Sequence, residues 1–487
     1  MKGRFASRGR GGDGAQAPFV ALLATLGALT VFFLLAPTIS NHPYYGPRSA
    51  SGYSYWYLVA AAFAPYAWAI HSYRRGHRPS VRLLLVAAAS LYVALIPAPA
   101  LQSQDLYQSL LYGKMALAGH NPYVVYAASL QDPWRAWTLW DNTLSVYGPA
   151  WTILTTGIAK VSGGNLTAAF LLIKGVTAAL ALGATWALAR VASSHDQRQG
   201  HEPSGISSDP GLAVLAFAFN PMVLFSVGVG AHSDIAVAAA IAGAVLAEQK
   251  GRPGLTTLLL SMASLMKGYA ALVLVAWLIC LVRRRDVRAA IAHSMFAAAL
   301  AVLDYLPYWE GSKTFGGVTQ IGRAASTSLS GTVIRLASGH PSDAFAAGST
   351  AAGTVVRTAV ILLLALAVVA VLRSPRTRDE PWRAGALLFG AYVLLTPWFL
   401  YWHLVALVAL ATIVSDRAVA RGTLTFSGTS LFVGSGGVAA GLALQAVLRY
   451  APALVAAMGR SPSPRPVRRL ERGGLRRTSR RSGVGGR

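Results

Sequence analysis

The sequence predicts an all-α protein, a polytopic transmembrane helical bundle of about 12–14 spans with a helix-bearing external loop. Three observations predict it. First, 54% of the 487 residues are hydrophobic and only 12% are charged, whereas a soluble domain carries roughly 25% charged residues. Second, apolar runs such as 17–37, 82–99, 165–189 and 351–372 approach or exceed the ~20 residues that cross a bilayer core. Third, the basic residues fall in short clusters between those runs: Arg74, Arg75 and Arg78; Arg283, Arg284, Arg285 and Arg288; Arg373, Arg376 and Arg378. Basic clusters in alternate loops are the positive-inside pattern. The placement of the basic residues, more than the net charge of +26, thus favours membrane topology over a nucleic-acid partner.

The chain divides into a basic N-terminus, 1–16, expected to be cytoplasmic; a transmembrane domain, 17–458; and a tail, 459–487. Lys2, Arg4, Arg8 and Arg10 precede the first run. No small-residue cleavage site follows it, so it reads as a retained span. The tail carries ten arginines and a single acid, Glu471, among Pro, Ser and Gly. It is predicted to be disordered and held near anionic lipid on the cytoplasmic side. Cys280 is the sole cysteine, which excludes an internal disulfide and a cysteine-based metal site.

With the N-terminus inside, spans near 17–37, 54–72 and 82–99 leave residue 100 outside. Residues 100–147 form a first long external segment rich in Trp and Tyr, and 309–350 form a second. Lys250 and Arg252 belong inside, which places His232, Ser233 and Asp234 outside. That parity requires 148–191 to cross once, so 148–163 is read as re-entrant or surface-lying. Residues 253–282 fit two short helices with Lys267 at their outer turn, because a charge at mid-bilayer costs at least ~2.5 kcal/mol. Residues 384–415 likewise fit two short helices with Pro397–His403 at the turn. Residues 423–458 form one or two spans, two being preferred because they return the basic tail to the inside.

The unusual polar residues thus gather on the outer face. Asp105 stands where the third span exits and a loosely amphipathic helix with Leu106, Leu110, Met115 and Leu117 begins, a helix that could lie on the membrane surface. Asp at such a position is a preferred N-cap, but an ionised carboxylate there can also accept a proton. Asp132 and Asp141 compete with it as a base. His232 and Asp234 at i, i+2 are too few for a metal site; Asp234 reads as a cap that orients His232. The Trp and Tyr residues suit interface anchoring equally well. There is no glycine-rich loop of a nucleotide-binding fold, and no cofactor is expected.

Asp105 with Tyr107, then Gly119-His120-Asn121-Pro122-Tyr123, then Tyr147-Gly148-Pro149 with Trp151, resembles the polyprenol-phosphate-mannose-dependent α-1,6-mannosyltransferases of actinobacterial envelopes. These are the MptB-like members of the GT-C class of membrane glycosyltransferases. Asn220-Pro221 followed by Gly230-Ala231-His232-Ser233-Asp234, Leu265-Met266-Lys267-Gly268, and Pro397-Trp398-Phe399-Leu400-Tyr401-Trp402 are similar to the same family. The resemblance covers about 100 to 405. Ser233 departs from the family pattern, which has Asn there.

The resemblance implies transfer of a sugar, mannose by analogy, from a polyprenyl-phosphate donor to a glycan or lipoglycan acceptor, with inversion, on the extracytoplasmic face of a bacterial plasma membrane. It implies Asp105 as the base. Lys267 and Arg323, with Lys313 behind them, are the candidates to steady the leaving phosphate. Tyr107, Asn121, Tyr147, Trp151, His232, Asp234, Trp398 and Trp402 are the candidates to hold sugars. The rival reading is a transporter or flippase of lipid-linked sugars, which would place its polar residues at mid-membrane. A third is an envelope protein that binds lipid-linked glycan without catalysis.

Overall fold

The computed structural model describes residues 13–39, 54–199, 206–434 and 442–458, apart from 102, 139 and 327. The N-terminus before residue 13 and the arginine tail 459–487 lie outside the described residues. Every named element among the described residues is a helix, and the chain is an all-α membrane protein. Four helices are long and apolar enough to cross a bilayer: Gln16–Leu35, Leu166–Ser194, Val287–Tyr308 and Ala351–Arg373. The other apolar runs fold as shorter or broken helices.

The first part of the chain forms α1 (Asp13–Ile39), α2 (Ser54–Ala61), α3 (Phe63–Arg74), α4 (Val81–Ala94) and α5 (Asp105–Leu117). Then come α6 (Pro149–Val161) and α7 (Leu166–Gln199). The run over 209–229 is broken into α8 (Pro210–Ala218) and α9 (Pro221–Gly228), bent by 56°. The Asn220-Pro221 pair explains the break. Asn220 accepts the backbone N–H groups of Met222 and Val223, and Pro221 has no N–H to extend the preceding ladder.

α10 (Asp234–Gln249) is followed by α11 (Pro253–Met266) and α12 (Ala271–Arg283), with Lys267 between the last two. The two short helices expected over 253–282 are therefore present. After α13 (Val287–Tyr305) the second long loop folds as α14 (Gly316–Gly322), α15 (Leu329–Ala337) and α16 (Ala344–Gly348). α17 (Ala351–Arg373) leads to α18 (Pro381–Leu395) and α19 (Leu404–Ile413), again a short pair around a turn. α20 (Arg417–Gly434) and α21 (Leu442–Met458) pack on each other at the end.

The bundle has two chemically different ends. At one, the basic turns meet: Arg284 Nη1 approaches Glu248 at 3.7 Å, Arg284 donates to the Asp379 carbonyl at 2.8 Å, and Arg383 pairs with Asp416 at 2.5 Å. Arg78 pairs with Asp209 at 3.2 Å. At the other end, α4, α9, α11 and α18 arrive and α5, α10, α12 and α19 depart. Asp105, His232, Lys267 and Trp402 lie at these junctions.

α7 has 34 residues, roughly 50 Å at 1.5 Å per residue, which exceeds a ~30 Å hydrocarbon core. Its first turns stack Phe170 on Tyr107 of α5 (centroids 6.0 Å), and Ser194 near its far end bonds Gln249 at 2.8 Å. α6 runs beside α5: Trp151 Nε1 donates to Ser109 Oγ at 3.2 Å. A Cβ on Gly113 would come within 2.4 Å of the Thr155 backbone, so only glycine permits this approach. α6 also touches α7, α13 and the Lys267 end of α11, where Gly148 N–H donates to Met266 O at 3.0 Å.

One expectation needs correction. α5 does not lie bare on a membrane surface. Leu106, Leu110 and Met115 are buried as its pattern demands, but so are Gln108, Ser109 and Tyr112, because α6, α7 and the 133–137 turn cover it.

Lys174 is another finding that the apolar pattern of 165–191 hid. It is buried within α7, and its ammonium donates to the carbonyls of Gly228 and of Val229 (3.1 Å). These are carbonyls that the end of a short helix leaves without partners. Lys174→Met should lower the midpoint of thermal unfolding in detergent, since each carbonyl left unsatisfied costs about 1–3 kcal/mol. An unchanged midpoint would show that the lysine is not a brace.

Candidate active site

At the end that holds Asp105 and Lys267 a cavity of about 370 Å³ opens between the junctions. Its walls come from five places. Asp105, Gln108 and Tyr112 project from α5, and Trp140, Thr143 and Tyr147 from the first external segment. Lys267 and Tyr269 come from the α11–α12 turn, and Tyr392, Trp398, Trp402 and His403 from the end of α18 and the turn after it. Val318 and Ile321 of α14 close the outer side.

Asp105 is the first residue of α5, not its cap; Gln104 holds that position and makes no side-chain cap bond. The Asp105 side chain is 23% exposed. Burial raises its pKa; the Ser103 hydroxyl and Lys267 pull it down and Asp234 pushes it up, but burial prevails. His232 Nδ1 lies 3.7 Å from Asp105 Oδ2, beyond hydrogen-bond length. The imidazole is buried, stacked on Trp402 (centroids 3.9 Å, planes 13° apart), and burial holds its pKa down at about 3. It is therefore neutral at physiological pH and acts as a packed wall behind the carboxylate. Ala231, immediately before it, has φ 48°, a left-handed backbone that a non-glycine residue rarely adopts and that turns the chain from α9 into this position.

Lys267 is held by a buried partner. Its ammonium pairs with Asp234 Oδ2 at 2.9 Å, Asp234 being fully buried, and Tyr269 donates its hydroxyl to the other carboxylate oxygen. Lys267 also stands 5.5 Å from the Tyr147 ring centre. Asp234 thus opens α10 as its first residue, after Ser233 at the cap. Its carboxylate fixes Lys267 and Tyr269 rather than capping the helix.

The outer wall is stitched by Ser326. Its hydroxyl donates to Pro397 O and Phe399 O, both at 3.1 Å, and accepts from Phe399 N–H at 2.9 Å; its own N–H donates to Pro397 O at 2.9 Å. Trp398 lies inside that bracket. The two external segments are joined as well: Asn121 Nδ2 donates to Tyr308 O at 2.9 Å, and Gln320 bonds Leu144 N and Asn142 O.

Of the residues singled out from sequence, Asp105, Tyr147, Lys267, Trp398 and Trp402 line the cavity, and His232 and Asp234 stand directly behind it. The others do not line it. Tyr107, two residues from Asp105, is carried to the opposite face of α5 and stacks with Trp137 and Phe170. Trp151 is fully buried against Ser109, and Asn121 braces the two loops. Arg323 and Lys313 are exposed in the second loop, outside the lining. Asp132 and Asp141, the rival bases, pair with Lys114 (2.8 Å) and Arg135 (3.0 Å). Gln108 and Tyr112 were missed, although i+3 and i+7 from Asp105 fall on one helical face. No group of three metal-ligating side chains occurs among the described residues.

Residues 21–283 match the family of alpha-(1->6)-mannopyranosyltransferase N-terminal domains. The chain belongs to this family. The matched segment contains Asp105, Tyr147, His232, Asp234 and Lys267; the α18–α19 wall lies beyond it. The chain is similar to alpha-(1->6)-mannopyranosyltransferase A of Mycobacterium tuberculosis, 27% identical over 241 residues, which are 47% of this chain and 43% of that protein. It is also similar to the protein of the same name from Corynebacterium glutamicum, 26% identical over 194 residues, 39% of this chain and 37% of the other. The match thus spans less than half the length of either relative. No solved structure matches the chain.

Proposed function

We propose that this chain is a GT-C-type mannosyltransferase. It moves mannose from a polyprenyl-phosphate donor to a glycan or lipoglycan acceptor of the cell envelope, with inversion, at the outer face of the plasma membrane. The observation that carries the reading is the pairing, in one cavity, of a partly exposed carboxylate, Asp105, with a cation, Lys267. The family membership and the names of the two relatives support the reaction class.

In this mechanism the acceptor hydroxyl gives its proton to Asp105. Its oxygen bonds to the anomeric carbon while the bond from that carbon to the phosphate oxygen breaks, and the electron pair leaves on the polyprenyl phosphate. Lys267 steadies that charge. Electrostatics favour the order of events. With Asp105 and Asp234 both ionised, the surroundings of Lys267 are negative and unwelcoming to a phosphate; once Asp105 takes the proton, that negative charge falls as the phosphate's grows. Trp140, Trp398 and Trp402 offer flat faces for pyranose rings. A transporter fits less well, because the cavity gathers at one end of the bundle rather than at its middle.

Membranes containing the protein, given polyprenyl-phosphate-mannose, should extend an α-mannoside acceptor, with an α-1,6-linked product. Polyprenyl-phosphate-arabinose should give none. Transfer of arabinose alone, or of neither sugar, would overturn the assignment.

A further inference from the structure

α15, in the second long segment, reads Leu329-Ser330-Gly331-Thr332-Val333-Ile334-Arg335-Leu336-Ala337. Leu329, Val333 and Leu336 recur at i, i+4 and i+7 and so share one face. A helix in a water-exposed loop turns such a face toward the protein. α15 does the reverse. Leu329, Val333 and Leu336 are 47%, 47% and 54% exposed, whereas Ser330, Gly331 and Thr332 are buried together with Ile334.

The inner face explains the inversion. α18 ends at Leu395, and the end of a helix leaves carbonyls without helical partners. Ser330 Oγ donates to Leu395 O at 2.5 Å, and Ser328 Oγ donates to Pro397 O at 2.9 Å. A Cβ on Gly331 would lie 2.6 Å from the Pro397 carbonyl oxygen, so the helix is pressed onto that turn. Its polar groups point inward because polar backbone waits there.

The outer face continues two lipid-facing surfaces, since α15 packs against α17 and α21. Ile334 packs with Val356 of α17, and the residues beside these two, Val333 and Val355, are exposed. α17 is long and apolar enough to cross a bilayer. Val355 lies about 6 Å along this helix of about 35 Å, inside a hydrocarbon core of ~30 Å. On the other side, Leu329 N–H donates to the Tyr450 hydroxyl at 3.3 Å. α20 starts beside Asp416 at the arginine end, and α21 returns antiparallel to it, Thr429 bonding Arg449 O at 2.7 Å. Leu444 and Val447, both exposed, therefore lie beyond Tyr450 toward the Asp105 end. The apolar surface of α21 thus extends past the level at which α15 begins. Arg335 and Arg357 turn their guanidinium groups to Pro341 O and Gly348 O beside α16, as arginines do at the edge of hydrocarbon.

We propose that α15 is an interfacial helix of the leaflet at the Asp105 end, its Leu329, Val333 and Leu336 seated among lipid acyl chains about 5–10 Å below the headgroups. Water over this face would leave three adjoining apolar side chains wet, between neighbours on α17 and α21 that lipid already covers. The inference does not rest on the sugar-transfer reading, since no residue of α15 lines the Asp105 cavity. The serines at its start hold the turn that carries Trp398, so the depth of α15 also sets the depth of that turn.

Full-length protein freed of its sole cysteine by Cys280→Ala can carry one nitroxide at a time in vesicles of phosphatidylglycerol and phosphatidylcholine. Val333→Cys is compared with Leu362→Cys, on the exposed face of the α17 span, and with Asp379→Cys, exposed in the turn before α18 at the arginine end. Collisions with oxygen, which concentrates in hydrocarbon, are measured against collisions with a water-soluble nickel chelate. The oxygen-to-nickel ratio at 333 should stand several-fold above that at 379 and approach that at 362. Leu336→Cys should behave alike, and it decides in place of Val333→Cys should the latter lose the parent's thermal-unfolding midpoint. A ratio equal to that at 379 would put the face in water. A nitroxide shielded from both reagents would put it against protein, either another part of the chain or a second copy. Either result would overturn the proposal.

Discussion

Asp105→Asn is expected to abolish detectable sugar transfer while the protein stays folded and inserted. The amide keeps the shape of the carboxylate but cannot accept the acceptor's proton, and a positioned base contributes on the order of 10²–10⁴-fold. The stability consequence has the opposite sign from that of a structural ion pair. Burial raises the Asp105 pKa in the folded protein, so the native state holds this proton more tightly than the unfolded chain does. Its ionisation therefore subtracts stability as pH rises above the unfolded value. At neutral pH the Asn variant should unfold at the same temperature as the parent or slightly above it. The parent's transfer rate should fall on the acid side at a pH above the ordinary carboxylate range, because the base must be ionised to work. Full activity in the variant would remove Asp105 from the mechanism.

The second large effect is expected at Asp234. Its carboxylate is completely buried and holds both Lys267 and Tyr269. Asp234→Ala leaves an ammonium and a phenol without their acceptor, and breaking a buried pair from one side costs about 3–5 kcal/mol. Lys267 is 14% exposed, which places the cost toward the lower figure. Unfolding in detergent should shift down by several degrees, and transfer should be lost with it. The double variant Asp234→Ala with Lys267→Met separates the two roles. It should recover much of the stability, since no charge is stranded, yet stay inactive, since nothing steadies the leaving phosphate. Transfer by the double variant would exclude Lys267 from that step.

Much of the fold was legible because a bilayer makes sequence pattern literal. Lys267 between two apolar stretches was read as a turn because a charge at mid-bilayer is costly, and the structure has a turn there. The arginine clusters assembled at one end, as their spacing between the runs required. Asp105 was legible for the same reason, as an acid where an apolar run stops. Legibility failed where the third dimension decides. Tyr107 and Trp151 were placed at the site because their rings suit sugar stacking and they belong to the resembling motifs, but helix geometry turns Tyr107 away and packs Trp151 against Ser109. Tyr269, Tyr392 and His403 carry no motif of their own; they meet only because the turns before α12 and α19 close on the end of α18. Lys174 carried no local sign of its partners, which are 54 and 55 residues away. The Asn220-Pro221 step, quoted as part of a resemblance, has a mechanical role: it breaks one span so that the chain can deliver His232.

The Ser326 bracket bears on how a sugar is chosen. Moving the Pro397–Phe399 backbone outward would break several hydrogen bonds to Ser326 at once. The backbone that carries the indole is therefore set before any ligand arrives, and in the proposed reaction less ordering entropy remains to be lost on that side when a pyranose docks. A rigid face discriminates by shape. A hexose whose axial hydroxyl collides with the indole cannot be accommodated by a small adjustment, so selectivity between epimers would be set by the empty enzyme rather than by closure around its guest.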